Sequence, residues 1–274
     1  MRHVDIGSCQ LEVQHLPAKH AGQPKAPLVF LHEGLGSVAM WRTWPAAVAA
    51  ATGRDAWVYS RRGYGASDPV PDARAPARIV HGVRHGRWQP DYMHVEALEV
   101  LPVLLQRLGI TEAPVLVGHS DGASIALLYA SRHPVCACVV MAPHVMVEDM
   151  SIRAIEQARD AFVHGQLRAR LAPYHRDVDC AFWQWNDAWL NPAFRGFDIR
   201  AQCQAIAAPL LAIQGVGDPY GSMLQIDEIN PVNGSVQRER LADCGHSPHR
   251  DQPMACISLI ADFLRKQDMG SSAD

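Results

Sequence analysis

The stretch Val115-Leu-Val-Gly-His-Ser-Asp-Gly-Ala-Ser-Ile-Ala-Leu-Leu-Tyr129 decides the fold. It begins as a short apolar run, which is typical of a strand buried on both faces of a parallel sheet. It ends in a helical pattern that continues to Arg132. Between the two, Gly118 to Gly122 matches G-x-S-x-G, a sequence that places its serine on a sharp turn from strand to helix. The Ser120 hydroxyl then sits at the head of a helix, where free N–H groups stabilise an anion. This position favours a nucleophile; the alternative is an ordinary tight turn with a helix-capping serine.

Further apolar runs without polar alternation precede and follow this stretch, and each predicts another buried strand. They lie at residues 26–31, 56–60, 136–141 and 209–214, and a strand-like run follows at 236–241. Helical patterns occupy residues 44–51, 93–108, 123–132 and 254–266. Residues 10–16 alternate in polarity, as an antiparallel edge strand does. Strands and helices therefore take turns along the chain, which predicts an α/β fold: a mostly parallel central sheet with helices on both faces.

Residues 143–205 interrupt this rhythm with helical periodicity and no convincing strand. We interpret them as a helical cap inserted over the C-terminal edge of the sheet, the edge at which open α/β sheets bind ligands. The predicted domains are therefore a core formed by residues 1–142 and 206–274, and a cap formed by residues 143–205.

Composition excludes several classes of protein. Of the 274 residues, 48% are hydrophobic and 19% are charged, which suits a large core and argues against disorder. The net charge of −3, without a run of basic residues, argues against nucleic-acid binding. No signal peptide is recognisable, and no window reaches the roughly 18 apolar residues that cross a bilayer. Seven cysteines without a C-x-x-C pair favour a reduced, cytoplasmic protein, and no histidine or cysteine pattern predicts a metal.

A serine nucleophile needs a base and an acid that orients it. His246, in Cys244-Gly-His-Ser-Pro-His249, follows the last strand-like run and is the predicted base; His249 is the competing candidate. Asp218, in a glycine-rich turn after the run at 209–214, is the predicted acid. The resulting chain order is serine, aspartate, histidine. The alternatives are a surface histidine in a polar turn and a turn aspartate before proline.

Acyl transfer also needs an oxyanion hole, in which N–H groups stabilise the negative charge of the tetrahedral intermediate. One donor is expected to be the backbone N–H of Asp121, directly after the nucleophile. The loop from His32 to Ser37 follows an early strand, and we expect Gly34 to supply the second donor.

These motifs resemble those of the α/β-hydrolase superfamily across nearly the whole chain. The resemblance also includes Ser60-Arg-Arg-Gly-Tyr-Gly-Ala-Ser-Asp68, which is similar to a family signature. The small capped members look most similar: enol-lactone hydrolases, carboxylesterases, non-haem haloperoxidase-like enzymes and hydrolases of aromatic ring-cleavage products. The resemblance implies the α/β-hydrolase fold, a Ser-His-Asp mechanism through an acyl-enzyme, and no cofactor. Capped dehalogenases and epoxide hydrolases carry aspartate at the position of Ser120, so those activities are rejected.

The chain departs from the family pattern at Glu33, where the family usually has glycine after the histidine. An inward-pointing carboxylate would oppose the developing oxyanion. We therefore expect Glu33 to turn away and pair with Arg61 or Arg62 rather than act directly. Asp121 is a second departure, and we expect its backbone rather than its carboxylate to be the functional part.

Substrate specificity is less defined by the sequence. The cap tryptophans either roof an apolar acyl pocket or attach the cap to the core, and Glu33 and His144 are further candidate pocket residues. The tryptophans are Trp183, Trp185 and Trp189. Residues 78–91 are interpreted as a solvated loop, with a carboxylate-binding role as the alternative.

The leading hypothesis is hydrolysis of a small carboxylic ester, lactone or thioester. The alternatives are carbon–carbon bond hydrolysis of a ring-cleavage product and a non-catalytic small-ligand-binding protein on the same fold. The expected partner is a small-molecule substrate, with neither nucleic acid nor membrane, and a homo-oligomer is left open.

Overall fold

The computed structural model describes residues 1–18 and 25–270. Its ten strands are β1 (Arg2–Asp5), β2 (Gln10–Leu16), β3 (Leu28–Leu31), β4 (Ala56–Tyr59), β5 (Arg78–Val80), β6 (Val83–His85), β7 (Val115–His119), β8 (Ala137–Met141), β9 (Leu210–Gly215) and β10 (Val236–Leu241). Eight of these form one sheet in the order β1-β2-β4-β3-β7-β8-β9-β10. The pairs β1–β2 and β2–β4 are antiparallel, and the remaining pairs of this sheet are parallel. The predicted fold is confirmed: a mostly parallel sheet with helices on both faces.

The helices are α1 (Trp44–Thr52), α2 (Tyr92–Val95), α3 (Leu101–Leu108), α4 (Asp121–Ala130), α5 (Asp149–Val163), α6 (Leu167–Leu171), α7 (Val178–Trp189), α8 (Arg200–Cys203), α9 (Leu224–Asp227), α10 (Pro248–Asp251) and α11 (Pro253–Gly270). Two hydrophobic cores fill the space between helices and sheet. In β3, Leu28 and Phe30 point into the core of α1 and α11, whereas Val29 and Leu31 point into the core of α2–α4. Successive strand residues face opposite layers, so a strand covered on both sides is apolar throughout.

One long helix was expected over residues 93–108, and the structure divides it. A π-helical turn, Glu96–Val100, lies between α2 and α3. Pro102 occupies the first turn of α3 and has no N–H, so it cannot donate to the carbonyl of Leu98. A π-turn just before the proline accommodates this missing hydrogen bond without ending the helix.

Two expectations about the periphery are wrong. Residues 10–16 are a strand, but β1 pairs with its outer side and takes the edge position. Within residues 78–91, the expected loop contains the β5–β6 hairpin. Its two turn residues, His81 and Gly82, have φ of 50° and 78°, the combination that a tight hairpin turn requires.

The segment 143–205 consists of α5–α8 with short 3₁₀ turns, plus one isolated bridge between Met146 and Asp198. From α7, Trp185 packs on the loop after β3 and Trp189 packs on the first residue of α4. These helices therefore cover the carboxyl ends of the central strands. The division of the chain into core and cap stays a prediction. Within residues 1–18 and 25–270, none of the helices combines the length and apolar character that a bilayer span requires.

Candidate active site

Ser120 occupies the turn between β7 and α4 in a strained backbone conformation, with φ 53° and ψ −120°. The chain crosses closely on both sides of it. A Cβ at Gly118 would overlap the backbone of Gly122 and Ala123, and one at Gly122 would overlap the carbonyl of Leu31. Only glycine permits these approaches, so the two glycines of the motif allow the turn that raises Ser120 above the sheet.

The structure brings Ser120, His246 and Asp218 together from three separate loops. His246 Nε2 lies 2.9 Å from Ser120 Oγ, and His246 Nδ1 lies 2.9 Å and 2.8 Å from the two carboxylate oxygens of Asp218. The competing candidate, His249, instead packs its ring among Trp41, Trp44 and His119. This geometry allows His246 to accept the serine proton while Asp218 fixes its orientation.

Neighbouring groups hold both partners of the serine in place. Asp218 accepts hydrogen bonds from Gln214 Nε2 at 2.7 Å and from the backbone N–H of Tyr220 at 2.8 Å. Burial disfavours the carboxylate, but the hydrogen bond and charge of His246 outweigh burial and lower the pKa of Asp218. On the other side, His119 Nε2 donates to the backbone carbonyl of His246 at 2.6 Å. Asp218 is therefore ionised at neutral pH, and the loop of His246 is fixed at its backbone.

The loop after β3 is anchored through one carbonyl group. The oxygen of Glu33 accepts hydrogen bonds from His32 Nδ1 at 2.6 Å, from Arg61 Nη2 at 2.9 Å and from the N–H of Gly36 at 3.0 Å. By contrast, the N–H groups of Gly34 and Asp121 donate to no acceptor in the part of the chain that the structure describes. These are the two groups predicted as oxyanion donors.

The Glu33 side chain packs against Gly36 of this loop and pairs with neither Arg61 nor Arg62, so its expected partner is wrong. Its carboxylate lies 3.3 Å from Arg250 Nη2 and 3.5 Å from His119 Nδ1. Arg61 is already committed to the Glu33 backbone, and Arg62 Nη1 donates to the carbonyl of Arg84 at 2.8 Å. Burial alone would raise the pKa of Glu33, yet His119 and Arg250 hold it well below its usual range.

The carboxylate of Asp121 contacts three side chains, whereas its backbone was expected to be the functional part. It accepts a hydrogen bond from Tyr92 Oη at 2.5 Å and from Trp189 Nε1 at 3.3 Å, and it lies 3.7 Å from Arg61 Nη1. Arg61 has no exposed side-chain surface, and Asp121 has 1%. Burial raises the pKa of Asp121, and Arg61 and Tyr92 oppose that rise. Glu96, buried nearby, has its pKa raised to about 7 by burial.

The candidate pocket residues divide into two groups. Trp185 contacts the loop after β3, since a Cβ at Gly34 would overlap its indole Nε1. Trp189 packs against the ring of His144, whose own centroid lies 5.7 Å from that of His246. Burial, followed by the charge of His246, lowers the pKa of His144 to about 3, so His144 is neutral at physiological pH.

Trp183 is not brought to Ser120 with the other two tryptophans. Its ring stacks under the Arg74 guanidinium, 3.8 Å from ring centre to Cζ, and contacts Phe162 and Phe182. Trp183 and Trp185 are two residues apart in α7, which places them on different sides of the helix. The pairing of Trp185 with Trp189, four residues apart, follows from the same periodicity.

A cavity of about 450 Å³ lies under the β5–β6 hairpin, between it, the π-turn and the β1–β2 loop. Its walls include Arg62, Tyr92 and Glu96, and they do not include the three residues of the serine site. Within the described ranges, no cluster of three or more histidine, cysteine, aspartate or glutamate side chains could hold a metal ion.

Sequence reasoning missed several residues around this site. Arg61 was noticed only as a partner for Glu33, and Tyr92, Gln214 and Tyr220 were not singled out. The position of Arg61 in the Ser60–Asp68 motif was an available signal. Tyr92 gave none, because its approach to Asp121 depends on how α2 packs against α4.

Comparison with known proteins agrees with this architecture. The model of the alpha/beta hydrolase family matches residues 28–259. No curated protein matches the sequence. Three similar solved structures have TM-scores of 0.68–0.69. At this low identity, such likeness shows the fold alone.

One of these structures is the enol-lactonase from Burkholderia xenovorans LB400, with 18% identity over 96% of this chain and 100% of that chain, at a TM-score of 0.69. Another is the proline iminopeptidase of Mycobacterium smegmatis, with 21% identity over 98% and 99%, at 0.68. The third is a thermophilic esterase from Thermogutta terrifontis, with 17% identity over 97% and 99%, at 0.68.

Proposed function

The chain belongs to the α/β hydrolase family, and we propose that it is a serine hydrolase that cleaves a small carboxylic ester, lactone or thioester. The observation that carries this proposal is the continuous hydrogen-bonded arrangement of Ser120, His246 and Asp218, with contacts of 2.8–2.9 Å. A serine in a strained turn, a histidine within proton-transfer distance and a buried carboxylate behind it are the parts that nucleophilic acyl transfer needs.

In the proposed reaction, Ser120 Oγ attacks the carbonyl carbon while His246 Nε2 removes the hydroxyl proton. The tetrahedral intermediate places its oxyanion against the N–H groups of Gly34 and Asp121. His246 then gives its proton to the leaving oxygen or sulfur, which leaves an acyl group on Ser120. Water, deprotonated by His246, attacks the acyl-enzyme, and His246 returns that proton to Ser120 Oγ as the acid is released. Asp218 stabilises the imidazolium in both halves.

The proposed substrate class rests on the side chains packed near Ser120. Trp185 and Trp189 provide apolar surface, and His144 adds a neutral imidazole beside the base. Such a lining favours a small acyl group with limited polarity. Two of the similar structures are named as a lactonase and an esterase, which supports oxygen esters and lactones as the first compounds to try.

A panel of short-chain p-nitrophenyl esters, small lactones, thioesters and a ring-fission dienoate tests the proposal. We expect turnover of at least one ester, lactone or thioester, and loss of that turnover in Ser120→Ala. Ser131→Ala, near the end of the same helix, is the matched control and should retain activity. Turnover of the dienoate alone would favour carbon–carbon bond hydrolysis, and binding without turnover of any compound would favour a non-catalytic role.

A further inference from the structure

We infer that Arg61 is a positioning residue that sets the direction of the Gly34 N–H through the Glu33 carbonyl, and that Asp121 holds Arg61 in place. This inference rests on the proposed serine hydrolase function. It adds two roles that the G-x-S-x-G motif does not contain. The oxyanion hole is then one unit whose two donors are connected through side chains of the core.

The peptide between Glu33 and Gly34 is oriented through its carbonyl group. In a trans peptide the C=O and the following N–H point in opposite directions within one plane. His32, Arg61 and Gly36 all donate to the Glu33 oxygen, at 2.6–3.0 Å. Fixing that oxygen on one side therefore fixes the Gly34 N–H on the other. This N–H donates to no acceptor within residues 1–18 and 25–270.

Arg61 differs from the other two donors to the Glu33 oxygen in its place in the chain. His32 and Gly36 belong to the same loop as Glu33, although His32 Nε2 also accepts the backbone N–H of Arg61 at 3.0 Å. The Arg61 side chain follows β4 and reaches across to the loop from a fully buried position. Of the three donors, it is the one that lies outside the loop and also approaches the turn that carries Ser120 and Asp121.

Arg61 also approaches the turn that carries Ser120 and Asp121. Its Nη1 lies 3.7 Å from the carboxylate of Asp121, the residue that follows Ser120 and carries the other predicted oxyanion donor. Tyr92 Oη donates to the same carboxylate oxygen that Arg61 approaches, and Trp189 Nε1 donates to the other oxygen. The Tyr64 ring also supports the guanidinium, 4.8 Å from its Cζ. Asp121 thus provides one donor directly and steadies the other through Arg61.

A planar, forked guanidinium suits this position better than an ammonium group. One Nη donates to the Glu33 carbonyl while the other faces the Asp121 carboxylate. Lysine could satisfy one of these partners but not both in this geometry. The charge of Arg61 also offsets that of the buried Asp121, which would otherwise be costly to bury.

The test compares Arg61→Lys and Arg61→Met with the control Arg62→Met, whose guanidinium bonds to the hairpin carbonyl of Arg84 instead. Active sites are first counted by complete fluorophosphonate labelling, so that misfolded protein does not count. For each variant, kcat and KM are measured with the best ester, together with the Ki of a matching trifluoromethyl ketone, whose serine adduct carries an oxyanion. The Ki of the product acid reports ground-state binding.

We expect kcat per labelled site to fall roughly 10- to 100-fold in both Arg61 variants, which is less than the about 10²–10³-fold loss of a whole oxyanion donor. The Ki of the ketone should rise by a similar factor, while KM and the Ki of the acid stay within about 2-fold. The same pattern, smaller, is expected in Asp121→Asn, which keeps the backbone N–H. That variant decides the matter if Arg61→Met does not fold.

An unchanged kcat per labelled site in the Arg61 variants, or a loss of kcat without weaker ketone binding, would overturn the positioning role alone. A wild-type protein that neither binds fluorophosphonate at Ser120 nor turns over any ester would overturn the serine hydrolase proposal and this inference with it. Failure of the two ideas is therefore distinguishable.

Discussion

Ser120 and Asp121 are adjacent in the chain, yet their side chains enter two different environments. On one side, Ser120, His246 and Asp218 form a short chain of hydrogen bonds between loops at the carboxyl edge of the sheet. On the other side, Asp121 meets a charged cluster that is buried between the sheet and the helices of one face. We define the charged cluster as Arg61, Tyr92, Glu96 and Asp121.

The difference between the two sides lies in how completely their polar atoms are partnered. Each member of the serine site has a hydrogen-bond partner at 2.7–2.9 Å. In the charged cluster, Arg61 Nε and Nη1 and Glu96 Oε2 are buried without a hydrogen bond. The distances of the first side suit the proposed proton transfer. The charged cluster holds its side chains in place through charge and burial. Its unpartnered buried atoms lower the stability of the folded protein.

The largest effect is expected from replacing Asp218, the proposed acid of the serine site. Asp218→Asn keeps the size of the side chain but cannot stabilise an imidazolium at His246. We expect kcat to fall by about 10⁴-fold, as for loss of the carboxylate in an acyl-transfer triad. Ester turnover measures this, with Asp227→Asn as the control, because that carboxylate pairs with Arg240 at the surface. A loss below about 10-fold would mean that Asp218 does not orient the base.

The next largest effect is expected at Glu96 of the charged cluster, and it concerns stability rather than activity. The pKa of Glu96 is raised to about 7 in the folded protein, from an ordinary value of 4.5. The stability of the protonated form is thus fully present below about pH 4.5 and is lost as pH rises through about 7. At pH 8 this costs the wild type on the order of 3 kcal/mol.

In Glu96→Gln this part of the pH dependence should disappear. We expect the variant to gain stability relative to the wild type as the pH rises from 5 to 8, measured by urea unfolding at both values. Ester turnover should change little, because Glu96 contacts none of the three residues of the serine site. Parallel pH profiles for the two proteins would contradict the assignment of Glu96 as a buried, unsatisfied acid.

A smaller effect distinguishes two tryptophans of α7. Trp185→Ala removes the indole from Gly34 and should lower kcat/KM about 10-fold, within the range that one apolar pocket contact contributes. Trp183→Ala removes a ring that stacks with Arg74, and kcat/KM should stay within about 2-fold. Both are measured per folded molecule with the same ester. Equal losses in the two variants would show that the cap tryptophans act only as packing.

The smallest effect concerns Glu33, which lies at the boundary between the two sides. Its pKa is depressed by His119 and Arg250, so its contribution to stability is present above the ordinary pKa of 4.5 and is lost as pH falls through the lower folded value. Glu33→Gln should therefore cost roughly 1 kcal/mol at pH 7, as a partly exposed ion pair does. The difference from the wild type should shrink as the pH falls from 7 to 3, as thermal unfolding at the two values would show. A deficit of the same size at pH 7 and pH 3 would point to steric rather than electrostatic support.

The sequence predicts the serine side far better than the charged cluster, for a physical reason. Ser120, Asp218 and His246 each follow a strand or a glycine-rich turn, so local sequence marks their positions even though they meet only in the fold. Tyr92 begins α2 and Glu96 begins the π-helical turn after it, and nothing local distinguishes them from other helical residues. The sequence likewise could not predict the partner of Glu33, because Arg250 lies 217 positions away along the chain.

The most direct test of the serine hydrolase proposal is fluorophosphonate labelling of the intact protein, followed by mass spectrometry of its peptides. We expect one adduct per chain, on Ser120, formed rapidly in the wild type and at least about 10³-fold more slowly in His246→Ala, which lacks the base. No adduct on Ser120 in folded protein, or labelling that is equally fast without His246, would contradict the proposal.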